Sequence, residues 1–236
     1  MSISVRDFTI QSGDELLAAD RIEVDGYATC LVLHGAGTSD RSRWRLLRMA
    51  LAERGVGTLA IDFSGHGQSS ARTPNSLAKR YREARDALAY IDESGPRSVI
   101  GSSMSGEIAV RIATAPECRI DNLVTLVGAA YDPAAFDVPF GPSFTRILRE
   151  PLSWRRSVVF DRIGNYRGAV TAIRAQFDEI VPAAIGELLA CRAINARSAE
   201  LVDLPGIGHH VGRALDSRAE LVVQLADLLL PAMTQR

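Results

Sequence analysis

Apolar runs of strand length alternate along this chain with longer stretches in which apolar residues recur every three or four positions. Strands are predicted at 5–10, 17–24, 29–33, 57–61, 98–100, 123–127, 170–175 and 200–203. Several, Cys30-Leu31-Val32-Leu33 among them, are aliphatic throughout rather than alternating. Strands buried on both faces of a parallel sheet have this pattern. Helical periodicity is clearest over 43–54, 77–94, 105–114, 183–193 and 217–230, and Gly55, Gly95 and Gly101 punctuate element ends. Two early strands followed by repeated strand–helix units predict an α/β protein. Its expected architecture is a mostly parallel eight-stranded sheet with helices on both faces.

The rhythm breaks once. No strand is evident over 131–168, a segment with Pro133, Pro139, Pro142 and Pro151, and with Phe136, Phe140, Phe144 and Trp154. A short helix is expected near 143–149. An aromatic-rich insertion of this size in a compact domain reads as a short cap or lid rather than a disordered excursion. The chain is therefore read as one domain, 1–236, carrying that insertion.

Composition adds bounds rather than a function. The 236 residues are 47% hydrophobic and 23% charged, with a formal net charge of −1. Neither nucleic acid nor an anionic membrane is indicated as a partner. The basic clusters Arg41-Ser42-Arg43-Trp44-Arg45 and Arg146…Arg149…Arg155-Arg156 are read as solvated faces, with anion binding as the alternative. Cys30, Cys118 and Cys191 form no CxxC pair, and Cys30 sits in an apolar run as a core thiol. With no basic leader and no apolar run of about 18 residues, a soluble cytoplasmic protein is expected. Nothing in the sequence sets the oligomeric state.

Candidate chemistry begins at Gly101-Ser102-Ser103-Met104-Ser105-Gly106, between a predicted strand and a predicted helix. A serine on such a turn, with small residues two before and two after it, has the outline of a nucleophile elbow. Serine needs a general base to attack a carbonyl, and the chain has four histidines. His209 follows the last predicted strand in a glycine-rich stretch, with His210 as its rival. An imidazole base needs an acid to fix its tautomer. Asp178, after the strand at 170–175, is the candidate; Asp132 is the other topologically reasonable acid, and Asp203 is less well placed. His34-Gly35-Ala36-Gly37 follows the strand ending at Leu33. A backbone N–H from this loop, with that of Met104, would suit a developing oxyanion. His34, Gly35 and Gly37 are then supporting turn residues.

With these residues in place, the chain resembles the α/β-hydrolase superfamily over nearly its whole length. The resemblance rests on the HGxG turn at 34–37, the DxxGxGxS turn at 62–69, the elbow at 101–106, and the late Asp178 and His209 in nucleophile–acid–histidine order. It implies an α/β-hydrolase fold, oxyanion amides from Ala36 and Met104, and 131–168 as a compact cap over the pocket. Ser105 stands where the family has its second elbow glycine, and the cap is short.

The expected function is hydrolysis of a carboxylic ester of a small, partly apolar molecule through an acyl-enzyme, without metal or organic cofactor. Thioester, lactone or amide hydrolysis and acyl transfer would use the same triad. A non-catalytic ligand-binding protein on this fold is the alternative of another class.

Overall fold

The structure, a computed structural model, describes residues 1–93 and 95–234. Its strands are β1 (Ile3–Ser12), β2 (Glu15–Val24), β3 (Cys30–Leu33), β4 (Thr58–Ile61), β5 (Ser98–Ser102), β6 (Asn122–Leu126), β7 (Ala169–Phe177) and β8 (Ser198–Gly208). They form one eight-stranded sheet in the order β1-β2-β4-β3-β5-β6-β7-β8. β2 pairs antiparallel with β1 and with β4; every other pairing is parallel. The helices are α1 (Arg45–Ala52), α2 (Leu77–Leu88), α3 (Ser105–Ala113), α4 (Pro142–Leu148), α5 (Val159–Arg162), α6 (Ala184–Arg192), α7 (Val211–Leu215) and α8 (Ala219–Thr234).

The aliphatic runs explain the layering. Within β3, Leu31 and Leu33 pack with residues of α2, α3 and α6. Cys30 and Val32 point the other way, into a second core with α1, α7 and α8. Successive side chains of a strand face opposite sides, so a sheet buried on both faces needs apolar residues at every position. Among the described residues, no helix is long and apolar enough to cross a membrane.

Three elements depart furthest from the sequence expectation. The helix expected over 77–94 ends at Leu88. Beyond it the Asp92 carboxylate turns back to pair with Arg21 and accept the Ala28 N–H at 2.7 Å; Ser94 lies outside the described residues. The last strand is much longer than 200–203 and runs through Pro205 and Gly206. It is an edge strand, where a proline's missing N–H costs no pairing on the open side. α8 continues through Pro231 to Thr234 rather than stopping at Leu230.

Between β6 and β7 the segment is helical, with α4, α5 and three 3₁₀ turns. It anchors on α2 and α3. The Tyr131 N–H and Ser157 hydroxyl both donate to buried Glu107 of α3. The Arg111 guanidinium lies 3.8 Å from the centroid of the Phe136 ring, and Tyr81 of α2 packs on the same ring.

Candidate active site

β3, β5, β7 and β8 run parallel, so their carboxyl ends share one edge of the sheet. Open α/β sheets bind ligands beyond that edge. His34, Ser103, Asp178 and His209 are each the residue immediately after one of these strands.

Ser103 has φ +50°, a conformation that L-residues adopt only at a cost of order 1–3 kcal/mol. Its backbone is over-determined: the N–H donates to Leu126 at 2.9 Å, and the carbonyl accepts from Gly106 and Ala129, both at 2.8 Å. Two glycines make the turn possible. A Cβ on Gly101 would stand 2.2 Å from the Ser105 carbonyl oxygen, and one on Gly106 would stand 2.6 Å from the Gly128 Cα. Ser105, in the place of the family's second glycine, is fully buried and donates from Oγ to the His34 carbonyl at 2.5 Å. A serine fits because the tight approach falls one residue later, at Gly106.

The Ser103 hydroxyl is 2.9 Å from His209 Nε2. His209 Nδ1 is 3.0 and 2.9 Å from the two Asp178 carboxylate oxygens. Asp178 Oδ1 also accepts the N–H groups of Ile180 and Val181, at 2.9 and 2.8 Å. These bonds fix the carboxylate, which fixes the imidazole, which meets the serine. Asp178 and His209 side chains are only 6% and 10% exposed, so water competes little for these bonds.

The other candidates stand elsewhere. Asp132 pairs with Arg156 and accepts the Ala134 N–H. Asp203 pairs with Arg174. His210 is exposed and packs edge-on against His209. His34 is buried: its Nδ1 donates to the Gly35 carbonyl at 2.8 Å and its Nε2 accepts the Phe63 N–H at 3.0 Å. Burial, then the nearby Arg80 charge and His66, hold its pKa well below the ordinary histidine value. It is a neutral brace and not a base.

Sequence reasoning missed Arg80. It is fully buried on α2, donates to the Gly35 carbonyl at 3.1 Å, and lies 4.7 Å from the Phe63 ring centroid. Among the described residues it has no carboxylate within ion-pair distance, and burial pushes its pKa down to about 10. The Gly35 carbonyl and the Ala36 N–H belong to one trans peptide and point in opposite directions. Holding the carbonyl inward, from Arg80 and from His34, therefore sets where the Ala36 N–H points. Nothing in the spacing around Arg80 marks this role; only the fold brings α2 beneath the loop.

A cavity of about 450 Å³ opens beside Ser103, lined by the 35–39 loop, Trp44, Ile180 and the 209–213 segment. The 131–168 segment, expected to roof the pocket, lines none of this cavity among the described residues. Its anchors on Glu107, Arg111 and Tyr81 hold it against α2 and α3. Among the described residues, no group of three or more potential metal ligands stands together.

The sequence profile of the alpha/beta hydrolase family matches residues 30–234. The chain belongs to the alpha/beta hydrolase family. An uncharacterised Mycobacterium tuberculosis protein is 26% identical over 199 residues, covering 83% of this chain and 68% of its own length. Among solved structures, the fold is similar to the Pyrococcus furiosus esterase Pf2001 (TM-score 0.72, 18% identity, 98% of this chain and 93% of that one). It is also similar to Est1E of Butyrivibrio proteoclasticus, solved with ferulic acid bound (TM-score 0.72, 20% identity, 95% and 98%). A third is the 2-hydroxy-6-oxo-6-phenylhexa-2,4-dienoate hydrolase of Rhodococcus sp. strain RHA1 (TM-score 0.66, 18% identity, 94% and 99%). Membership in this alpha/beta hydrolase family supports a hydrolase activity.

Proposed function

We propose that this alpha/beta hydrolase is a serine hydrolase that cleaves a carboxylic ester of a small molecule through an acyl-enzyme. The observation that carries the reading is the continuous relay from Ser103 Oγ to His209 Nε2 at 2.9 Å and from His209 Nδ1 to Asp178 at 2.9–3.0 Å. In this reading Ser103 Oγ attacks the ester carbon while its proton passes to His209 Nε2. Asp178 holds the imidazole in the tautomer that leaves Nε2 free and stabilises the imidazolium. The Ala36 and Met104 N–H groups receive the tetrahedral oxyanion. Collapse expels the alcohol, which takes the proton from Nε2. Water, deprotonated by His209, then attacks the acyl carbon; the second tetrahedral intermediate releases the acid and restores Ser103.

A panel of p-nitrophenyl esters of increasing chain length, run beside acyl thioesters, tests the reading. Ester turnover that disappears in Ser103→Ala is expected. Ester turnover retained in that variant would refute the assignment of the nucleophile. Thioester turnover that exceeds ester turnover at every chain length would reassign the substrate class.

A further inference from the structure

The cavity beside Ser103 has a one-sided charge. Arg43 and Arg213 line it, and no Asp or Glu does among the described residues, although the chain as a whole has a net charge of −1. The two guanidinium groups differ in their partners. Arg43 reaches Asp216 at 2.8 Å, and Asp216 is itself 57% exposed and outside the cavity lining. Arg213 is exposed, and it has no ion pair among the described residues.

The backbone is shaped to place this charge. Arg43 lies in the 3₁₀ turn before α1, and Arg213 in α7, four residues after His209. The two segments meet at Gly212, where a Cβ would stand 2.5 Å from Arg43 Cγ and 2.7 Å from Cδ. Only a glycine there lets the Arg43 stem lie flat across the start of α7. The wall also holds apolar Trp44, Val211 and Ile180, beside the polar Thr38, Ser39 and His210. An ester seated with its carbonyl at Ser103 thus shares its cavity with apolar surface and with two cationic side chains. Guanidinium forks match a carboxylate in geometry as well as charge.

We propose that the substrate is an ester that also carries a carboxylate, seated at Arg43 and Arg213 while its ester carbonyl sits at Ser103. This inference rests on the serine-hydrolase reading above and adds the substrate's charge to it.

The test compares p-nitrophenyl hemiesters of succinate, glutarate and adipate with neutral p-nitrophenyl esters of the same chain length. For at least one length, kcat/KM for the hemiester is expected to exceed that of its neutral partner by about tenfold or more, the scale of one charge-assisted contact. That ratio falls about tenfold in Arg213→Gln, falls in Gly212→Ala where the added methyl displaces the Arg43 stem, and falls with rising salt. Arg192→Gln, the same charge change on α6 away from the cavity, leaves the ratio unmoved. A ratio at or below one for every length in the wild type, or a ratio that Arg213→Gln does not change, overturns the inference.

A second readout does not require turnover. Glutarate or adipate should slow fluorophosphonate labelling of Ser103 more than butyrate does, and Arg213→Gln should abolish the difference. Equal protection by both overturns the inference. Absence of both labelling and turnover would instead overturn the serine-hydrolase reading on which it rests.

Discussion

Replacing Arg80 with methionine separates a positioning role from a structural one. The guanidinium supplies one of the two donors on the Gly35 carbonyl, the other being His34 Nδ1. Losing a whole oxyanion donor costs about 3–4 kcal/mol of transition-state stabilisation. Here the Ala36 N–H stays but loses about half of what aims it, so a loss of about 1.5 kcal/mol is expected, roughly tenfold in kcat. KM changes little, because the ground-state carbonyl leans less on that N–H. The fold should not suffer. Arg80 is a fully buried cation with no carboxylate partner among the described residues; besides the Gly35 carbonyl it meets His66 Nε2 at 2.6 Å, and an apolar side chain of similar length removes its desolvation cost. The assay is the kcat and KM of Arg80→Met and Arg80→Lys, with the melting temperature and the rate of fluorophosphonate inactivation measured alongside. Inactivation builds charge on the same oxygen, so it should slow in parallel with kcat, and Arg80→Lys should recover part of both. An unchanged kcat and inactivation rate in Arg80→Met, at an unchanged melting temperature, would refute the peptide-plane argument.

Four further outcomes follow from the same geometry. Asp178→Asn should lower kcat by about 10²–10⁴-fold, because the imidazole loses the partner that fixes its tautomer. Asp132→Asn, which breaks only the Arg156 contact, should change kcat by less than about threefold; the opposite ranking would make Asp132 the acid. Gly106→Ala should destabilise by about 3 kcal/mol as its methyl meets the Gly128 backbone, seen as a shift in the denaturant midpoint; an unshifted midpoint contradicts the close approach. His34 should contribute a fall in stability on acidification from pH 7 to pH 5, measured as the difference from His34→Gln. His34 keeps a depressed pKa in the folded state, so below about pH 6.5 the unfolded chain binds a proton that the folded chain does not. The loss reaches at most about 2 kcal/mol at pH 5, or roughly 4–8 °C in melting temperature. A fall of equal size in His34→Gln would assign it to other groups.

Much of this was legible in the sequence because the relevant residues announce themselves locally. Aliphatic runs can be buried on both sides only in a sheet covered by helices on both faces, and the residue after each such strand lies at the carboxyl edge. Ser103, Asp178 and His209 were therefore readable as candidates by position, and the fold brings their side chains into one hydrogen-bonded line. What was not legible depends on contacts distant in sequence. That His209 faces Asp178 and not the rival Asp132, which meets Arg156 instead, depends on how the fold brings these segments together. The tolerance of Ser105 turned on the His34 carbonyl facing it. Arg80 looks like any other charged position in a helical pattern, and only the packing of α2 beneath the loop makes it a brace. The early end of α2 depended on Asp92 finding Ala28 and Arg21, partners more than sixty residues away.

Ser103 as the nucleophile is tested by covalent labelling of the wild type and of Ser103→Ala with a fluorophosphonate probe, with the modified residue mapped by mass spectrometry. One adduct is expected on the wild type, on the peptide carrying Ser103, and none on the variant. A wild type that resists the probe under conditions that label a control serine esterase, or an adduct on Ser102 or Ser105, would contradict that assignment.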